Sequence, residues 1–145
     1  MMLISHRGNL NGPVPTRENS PDYIEIALDK GYNVEIDVWY IGDKWLLGHD
    51  SPVYQVDLDF ICNLRLLCHA KNVEALSEML NHHDIHCFWH ENDDHTLTSG
   101  GLIINHSRGV VPTKMSVCML PELLEDKINP DEYYGICSDY IERYK

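Results

Sequence analysis

Two acidic residues, Glu35 and Asp37, stand two positions apart within an apolar run over residues 34–38. In a β-strand, side chains two positions apart project from the same face, so both carboxylates would point the same way. Like charges on one face repel unless a proton or a cation lies between them. Mg²⁺ and Ca²⁺ bind carboxylate oxygens, so the pair is compatible with a metal site. Taken alone, the spacing fits a half-exposed strand with alternating polar residues better.

Two further motifs place a histidine directly after a short apolar run. His6 is followed by Arg7 and Gly8, which suits phosphate because arginine pairs with phosphate oxygens and glycine allows close backbone approach. The second motif is His49 followed by Asp50. Histidine can donate or accept a proton near neutral pH, so both motifs could supply acid–base chemistry. Each also has a structural explanation, a surface turn for the first and a local hydrogen bond for the second.

The elements that must position these motifs are short. The chain contains eight apolar runs of four to six residues, a length typical of strands. The predicted strands cover residues 3–6, 34–38, 45–49, 66–69, 85–90, 102–105, 117–120 and 134–139. A first helix is predicted from Pro21, with Ser20 as its N-cap, to an end at Gly31. A second is predicted over residues 72–80, where apolar side chains recur at helical spacing.

The order of these elements predicts a fold class. Strands that alternate with helices favour a parallel α/β fold, and polar residues at the strand ends favour a closed barrel with its catalytic groups at that face. With 145 residues, each of eight units has only about 18, whereas a complete βαβ unit needs about 30. We therefore expect one domain over residues 1–145, a minimal parallel (β/α)8 TIM-type barrel with several outer helices shortened or missing. An open, doubly wound sheet is the alternative.

Four motifs follow one another along the first third of the chain: His-Arg-Gly at residues 6–8, Glu18-Asn19, Glu35-x-Asp37, and His-Asp at residues 49–50. Their order and spacing resemble the glycerophosphodiester phosphodiesterase family, within the phospholipase C-like phosphodiesterase barrels. Residues 135–140 are similar to the family's last strand, which usually ends in Thr-Asp where this chain has Ser-Asp. The chain departs from the family on the fourth strand, where His69 replaces a third carboxylate and Lys71 is retained.

The resemblance implies a metal-dependent enzyme that hydrolyses a small phosphodiester of the glycerophosphodiester type. Glu35 and Asp37 would hold a divalent cation, Mg²⁺ or Ca²⁺. His6 and His49 would act as general acid and general base, in an order that the resemblance leaves open. Arg7 would join them in the catalytic group by holding phosphoryl oxygens. The expected substrate-binding residues are Glu18, His69, Lys71 and His90.

Two alternatives to this function stay open. The first is a catalytically silent barrel that binds a phosphorylated ligand. It is favoured by His69, because imidazole is a poorer ligand than a carboxylate for hard cations. The second is a lyase of the phospholipase D toxin type, which would use the same two histidines and form a cyclic phosphate.

Composition and charge limit the partners. Acidic residues number 23 against 11 basic ones, and the net charge of −12 argues against binding to nucleic acid backbone or anionic membrane. No apolar run approaches the ~18 residues of a membrane helix, and no signal-peptide pattern is present, so we expect no membrane insertion. Five cysteines without a Cys-x-x-Cys pair suit a reducing cytoplasm. Missing outer helices would uncover apolar strand faces, which makes a homodimer a reasonable expectation.

Overall fold

The chain forms one sheet of ten strands within residues 1–106, 111–124 and 127–145, which are the residues that the structure, a computed structural model, describes. The strands are β1 Met2–His6, β2 Asn33–Ile41, β3 Lys44–Leu47, β4 Tyr54–Val56, β5 Leu66–Ala70, β6 Cys87–Phe88, β7 His95–Leu97, β8 Ile103–Asn105, β9 Ser116–Met119 and β10 Gly135–Ser138. Three α-helices accompany them: α1 Pro21–Asp29, α2 Leu58–Ile61 and α3 Val73–Leu80. The 3₁₀ turns are Pro121–Leu123, Pro130–Glu132 and Ile141–Tyr144.

The sheet is mixed, with both parallel and antiparallel neighbours. Its main path runs β4-β3-β2-β1-β10-β9-β8-β7, and β5 pairs with β2 and β6 beside that path. β1 pairs in parallel with β2 and β10, β5 with β2 and β6, and β9 with β8 and β10. The pairs β2–β3, β3–β4 and β7–β8 are antiparallel. A parallel central region therefore carries antiparallel strands at both ends of the main path.

The predicted (β/α)8 TIM-type barrel is wrong. The eight predicted strands correspond to β1, β2, β3, β5, β6, β8, β9 and β10, but β3 runs antiparallel, and β4 and β7 are additional strands. Within the described residues only three short α-helices are present, and no strand pairing joins β6 to β7 to close a ring. The sheet is therefore a curled, open, mixed sheet rather than a helix-covered parallel barrel.

The turn between β2 and β3 explains why no crossover helix follows β2. Gly42 and Asp43 both have positive φ, 55° and 63°, as a two-residue hairpin turn that matches the twist of its strands requires. Ile41 pairs with Lys44, so the chain returns along β2 at once. A parallel neighbour would need a crossover of roughly a dozen residues or more, and the sequence between β2 and β3 is far too short for one.

The two longer helices begin at the positions that the sequence predicts. α1 has Ser20 as its N-cap and Pro21 in its first turn, where the missing N–H of proline removes no helical hydrogen bond. α3 follows Asn72, whose side chain accepts a hydrogen bond from the backbone N–H of Ala75. Their buried faces, Tyr23, Ile24, Ala27 and Leu28 in α1 and Ala75 and Met79 in α3, lie against the sheet. Among the described residues, no helix has the length and apolarity needed to cross a membrane.

A small apolar cluster shows how far the sheet curls. It combines buried side chains from β1, β5, β6, β9, β10 and the start of β8: Ile4, Leu67, Phe88, Leu102, Ile104, Val117 and Cys137. β5 and β8 are not neighbours in the sheet, so their side chains meet only because the sheet curls around them. In each strand, the side chain two positions further on lies on the same face. The cluster is therefore the floor of a cavity, and the next layer contains residues such as His6 and His69.

Candidate functional site

The layer above the apolar floor is polar, and strand register determines which residues it contains. His6 of β1 pairs with Glu35 of β2, and Asp37 of β2 pairs with His69 of β5. Paired residues in parallel strands lie side by side, so these four side chains come together towards the carboxyl ends of their strands. Asp139 directly follows β10, the other neighbour of β1. Five ionisable groups from four strands are thereby gathered in one place.

Glu35, Asp37 and His69 could hold a metal ion. One potential ligand atom from each lies within 4.8 Å of the others. His69 Nδ1 lies 3.2 Å from an oxygen of Asp37 and 3.9 Å from an oxygen of Glu35. Among the described residues, Glu35 Oε2 and Asp37 Oδ1 are buried and make no hydrogen bond, and their contacts include His6 Nε2 at 3.7 Å and His69 Nδ1 at 3.2 Å, respectively. Buried carboxylate oxygens normally have partners, so these two atoms are suited to a cation.

The two carboxylates differ in their electrostatic surroundings. Burial and the charge of Asp37 raise the pKa of Glu35 above its usual value. Burial also opposes ionisation of Asp37, but its contacts with His69 and Arg7 lower its pKa well below the usual range. Arg7 Nε lies 2.9 Å from Asp37, and Asn19 donates a hydrogen bond of 2.9 Å to the same carboxylate. Asp37 therefore loses its proton more readily than Glu35 does.

His6 lies between two carboxylates and is almost fully buried. Its Nδ1 lies 2.7 Å from Asp139, and its Nε2 lies 3.7 Å from Glu35. Burial lowers the pKa of His6, but the hydrogen bond to Asp139 and the charge of Glu35 outweigh it, so the pKa is raised. Asn9 donates hydrogen bonds to Asp139 (2.8 Å) and Glu18 (2.9 Å), which fixes the carboxylate behind the histidine. The arrangement orients Nε2 for proton transfer.

His49 lines the same cavity. It follows β3, which runs antiparallel to β2, so the chain enters the site in the direction opposite to that of β2. The backbone N–H of Gly48 donates to the carbonyl of Asp37 (3.1 Å), which anchors the residue before His49 beside β2. A Cβ on Gly48 would lie 2.0 Å from the carbonyl oxygen of Ser51, so only glycine fits there. His49 Nδ1 lies 2.7 Å from Asp50, and its side chain is 42% exposed. His6 and His49 therefore differ in burial although both line the cavity.

The remaining predicted site residues lie around this centre. The guanidinium of Arg7 contacts Glu18 (3.3 Å) as well as Asp37, so two carboxylates already neutralise it. Lys71 Nζ lies 3.8 Å from Asp37. His90 lines the cavity, donates from Nε2 to the carbonyl of Asp93 (2.9 Å) and stacks on a neighbouring histidine ring. As far as the described residues define the cavity, Arg7 and His90 line it, whereas Glu18 and Lys71 stand behind its wall.

The cavity has a volume of about 690 Å³ and two contrasting sides. The polar side comprises His6, Arg7, Glu35, His49, His69, His90, Asp94 and His106. The other side is apolar and comes from the end of β9 and the segment after it: Met119, Leu120, Leu123 and Leu124. Its volume lies within the roughly 300–1,000 Å³ of small-molecule sites, so more than a phosphate group fits beside the polar side.

Five polar residues of the site are absent from the predicted site residues: Asn9, Asn19, Asp94, His106 and Asp139. Asn19 exchanges two hydrogen bonds with Asp37, one through each of its amide atoms (both 2.9 Å). The sequence does contain a signal for Asp139, because this residue directly follows an apolar run at the end of a predicted strand. His6 likewise stands at the end of an apolar run. Asn9 and His106 lie in connecting segments, where no periodic pattern distinguishes a site residue from any other polar residue.

Comparison with protein-family models, with curated proteins and with solved structures gave no match. The family resemblance that the motifs suggest therefore stays a prediction, and the function has to be argued from the geometry of the cavity.

Proposed function

We propose that this chain is a metal-dependent phosphodiesterase that acts on a small phosphodiester. The observation that carries the proposal is the set of Glu35, Asp37 and His69 beside two histidines that line one cavity. Glu35 Oε2 is buried without a hydrogen bond among the described residues, and a bound cation would supply a partner for it. General acid–base groups next to a cation site are the elements that phosphodiester hydrolysis needs.

The two histidines would divide the proton transfers. One accepts the proton of the attacking water, and the other donates a proton to the alcohol that leaves, so the proton count balances over the reaction. Asp139 holds His6 in a fixed orientation by its 2.7 Å contact. Asp50 contacts the corresponding nitrogen of His49 at the same distance, 2.7 Å. Both Nε2 atoms are thereby left for the substrate. When bound, a divalent cation would offset the negative charge that develops on the phosphoryl oxygens.

His69 influences which cation the site selects. The carboxylates alone favour Mg²⁺ or Ca²⁺, the ions that the sequence predicts. An imidazole nitrogen in the ligand set shifts the preference towards Mn²⁺, Co²⁺ or Zn²⁺, which accept nitrogen ligands. His69 Nδ1 lies only 3.2 Å from Asp37, so a cation bound to Asp37 would be close enough to bind this nitrogen as well. We therefore infer that Mn²⁺ activates better than Mg²⁺ or Ca²⁺.

The first test measures hydrolysis of bis(4-nitrophenyl) phosphate by metal-stripped protein supplied with each cation in turn. We expect turnover only with a divalent cation, in the order Mn²⁺, then Mg²⁺ and Ca²⁺. In His69→Glu, which places three carboxylates together, we expect Mg²⁺ or Ca²⁺ activation to improve about tenfold relative to Mn²⁺. Turnover without any cation would contradict the proposal, and an unchanged cation order in His69→Glu would remove His69 from the ligand set.

A phosphate-binding protein without catalysis is the second candidate, and the charge balance around Asp37 favours it. Arg7 and Lys71 both approach this carboxylate, so it has positive partners even without a metal ion. Titration calorimetry with inorganic phosphate separates the candidates. Metal-independent phosphate binding combined with no turnover under any cation would select the binding protein. If turnover occurs, products formed from a glycerophosphodiester, whose free hydroxyl can attack the phosphorus, in ¹⁸O-labelled water distinguish hydrolysis, which incorporates the label, from cyclisation, which does not.

A further inference from the structure

The apolar side of the cavity has no role in the chemistry proposed above. Four residues from one short segment form it: Met119, Leu120, Leu123 and Leu124. The buried Pro121 and its 3₁₀ turn shape this segment immediately after β9. Leu123 is 71% exposed, a high value for leucine at the wall of a polar cavity. Apolar surface at a ligand site gains free energy when an apolar part of the ligand covers it.

The backbone at Leu120 is strained in a way that maintains this wall. Its φ and ψ are 49° and 58°, the left-handed region that glycine and asparagine adopt far more easily than leucine. The backbone N–H of Leu120 donates to the carbonyl of Cys137 (2.7 Å), and its carbonyl accepts from Leu123 N (3.0 Å), so the conformation is held on both sides. Strained residues of this kind cluster at ligand sites. Here the strained residue lines the cavity that contains both histidines.

The wall is also tied to the acid–base residues. One carboxylate oxygen of Glu122 accepts a hydrogen bond from the hydroxyl of Ser138 (3.0 Å), and the other accepts from the backbone N–H of Asp139 (2.8 Å). The side chain of Asp139 in turn contacts His6 at 2.7 Å. Glu122 lies between Leu120 and Leu123, so this chain of contacts holds the leucines at a defined position relative to His6.

We propose that the leucine wall is a subsite for an apolar ester group, so that the preferred substrate is a phosphodiester with one alkyl substituent. The inference rests on the proposed function, since the phosphate would occupy the polar side. An apolar group on the same phosphorus then lies against Leu120, Leu123 and Leu124, and the cavity of about 690 Å³ has room for both parts. A wholly polar substrate would leave these leucines facing polar atoms and would gain no binding free energy from covering them.

The experiment separates recognition from catalysis. Binding of methyl, butyl and hexyl phosphate is measured by titration calorimetry with Mn²⁺ present and without it. Turnover is measured on the 4-nitrophenyl esters of the same three phosphates. We expect affinity and kcat/KM to rise roughly two- to fourfold for each methylene group that reaches the wall, the gain expected for partial to full burial of a CH₂.

Two variants remove the apolar character and keep the backbone. Asparagine tolerates the left-handed conformation, so Leu120→Asn is expected to fold with an unchanged or slightly raised Tm. Leu123→Asn alters a mostly exposed side chain and serves if the first variant fails to fold. In both, we expect the dependence on alkyl length to flatten while methyl phosphate binds as before. Leu64→Asn is the matched control, because Leu64 is 77% exposed and precedes β5, at the end opposite to His69.

The outcomes discriminate between the two proposals. Chain-length dependence that survives both wall variants, or that is absent from the unaltered protein, would overturn the subsite. A change in oligomeric state in the variants, with chain-length dependence unaltered, would identify the leucines as an interface between copies and would overturn it as well. Chain-length-dependent binding without turnover under any cation would support the subsite and reject the phosphodiesterase.

Discussion

The two sides of the cavity are built differently. On the polar side, β1, β2 and β5 bring His6, Glu35 and His69 to the cavity, and the fully buried Asp37 pairs in register with His69. On the apolar side, a single segment after β9 presents leucines from a 3₁₀ turn and a strained backbone. Strand register is a repeating rule, so the polar side can be inferred from spacing, whereas the turn depends on contacts with β10. The polar residues and the leucines of this cavity therefore differ in how readily a sequence predicts that they lie together.

Asp37→Asn should have the largest effect, because it disrupts the centre of the polar side. The side chain of Asp37 is fully buried and that of Arg7 is 18% exposed, and removing the buried partner of such a pair costs up to about 3–5 kcal/mol of unfolding free energy. On the proposed function, Asp37→Asn removes a ligand of the cation and should also lower cation-dependent turnover by more than about 100-fold, the upper end of the loss seen when a residue behind a metal ligand is changed. Urea unfolding and the phosphodiester assay measure the two losses.

An exposed arginine–aspartate pair supplies the control for this variant. Arg17 and Asp22 lie 3.4 Å apart with side chains 44% and 75% exposed. Exposed pairs contribute little, so Asp22→Asn should change the unfolding free energy by less than about 1 kcal/mol and leave turnover intact. Equal effects of the two substitutions would mean that the Arg7–Asp37 pair is solvated and that the polar side is not a buried centre.

His6→Ala and His49→Ala should separate catalysis from stability within the polar side. We expect either substitution to lower turnover by roughly 10²–10⁴-fold, the usual loss for a positioned acid or base. Sequence position suggests that neither should affect stability, but the structure buries His6 against Asp139. His6→Ala should therefore lower the unfolding free energy by about 1–3 kcal/mol, because the partly buried Asp139 carboxylate loses its imidazole partner and keeps, among the described residues, only the hydrogen bond from Asn9.

The exposed His49 should contribute much less to stability than the buried His6. His49→Ala is expected to stay within about 0.5 kcal/mol of the unaltered protein in urea unfolding, as surface substitutions usually do. His83→Ala, at an exposed histidine outside the cavity lining, controls for the loss of a surface imidazole. If His6→Ala unfolds as the unaltered protein does, the contact with Asp139 does not contribute to the fold.

The smallest effect is expected at His106, which follows β8 and lines the cavity. Burial and the nearby His90 and His69 lower the pKa of His106 to about 3, whereas an unfolded histidine titrates near pH 6.5. Between these values the unfolded chain binds the proton and the folded chain does not, so protonation favours unfolding as the pH falls. We expect this group to cost about 1–2 kcal/mol of stability between pH 7 and pH 5.

His106→Gln tests this pH dependence. Glutamine does not titrate and can still hydrogen-bond to Thr96, whose hydroxyl lies 3.0 Å from His106 Nε2. The variant should lose less stability than the unaltered protein between pH 7 and pH 5 in urea unfolding. His83→Gln is the matched control. If His106→Gln and the unaltered protein lose the same amount, His106 is protonated in the folded state over this range.

Much of the local structure could be predicted from the sequence. Alternating polar and apolar residues place Glu35 and Asp37 on one strand face, and Ser20-Pro21 and Asn72 mark the beginnings of the two longer helices. The eight predicted strands are present, because apolar runs of four to six residues have the length of strands and are too short for most helices. These features depend on neighbours within a few positions, which is why spacing alone is sufficient to find them.

Other features were decided only by the tertiary structure. Positive φ at Gly42 and Asp43 turns β3 back along β2, so the sheet is mixed and His49 approaches from the opposite direction. The burial of His6, the contact of Asp139 with it and the leucine conformation at position 120 all depend on β10, whose residues are more than a hundred positions from β1. A sequence motif identifies which reactive side chains are present. Long-range strand pairing sets their burial, their charge partners and the wall that faces them, because these depend on contacts that local spacing does not encode.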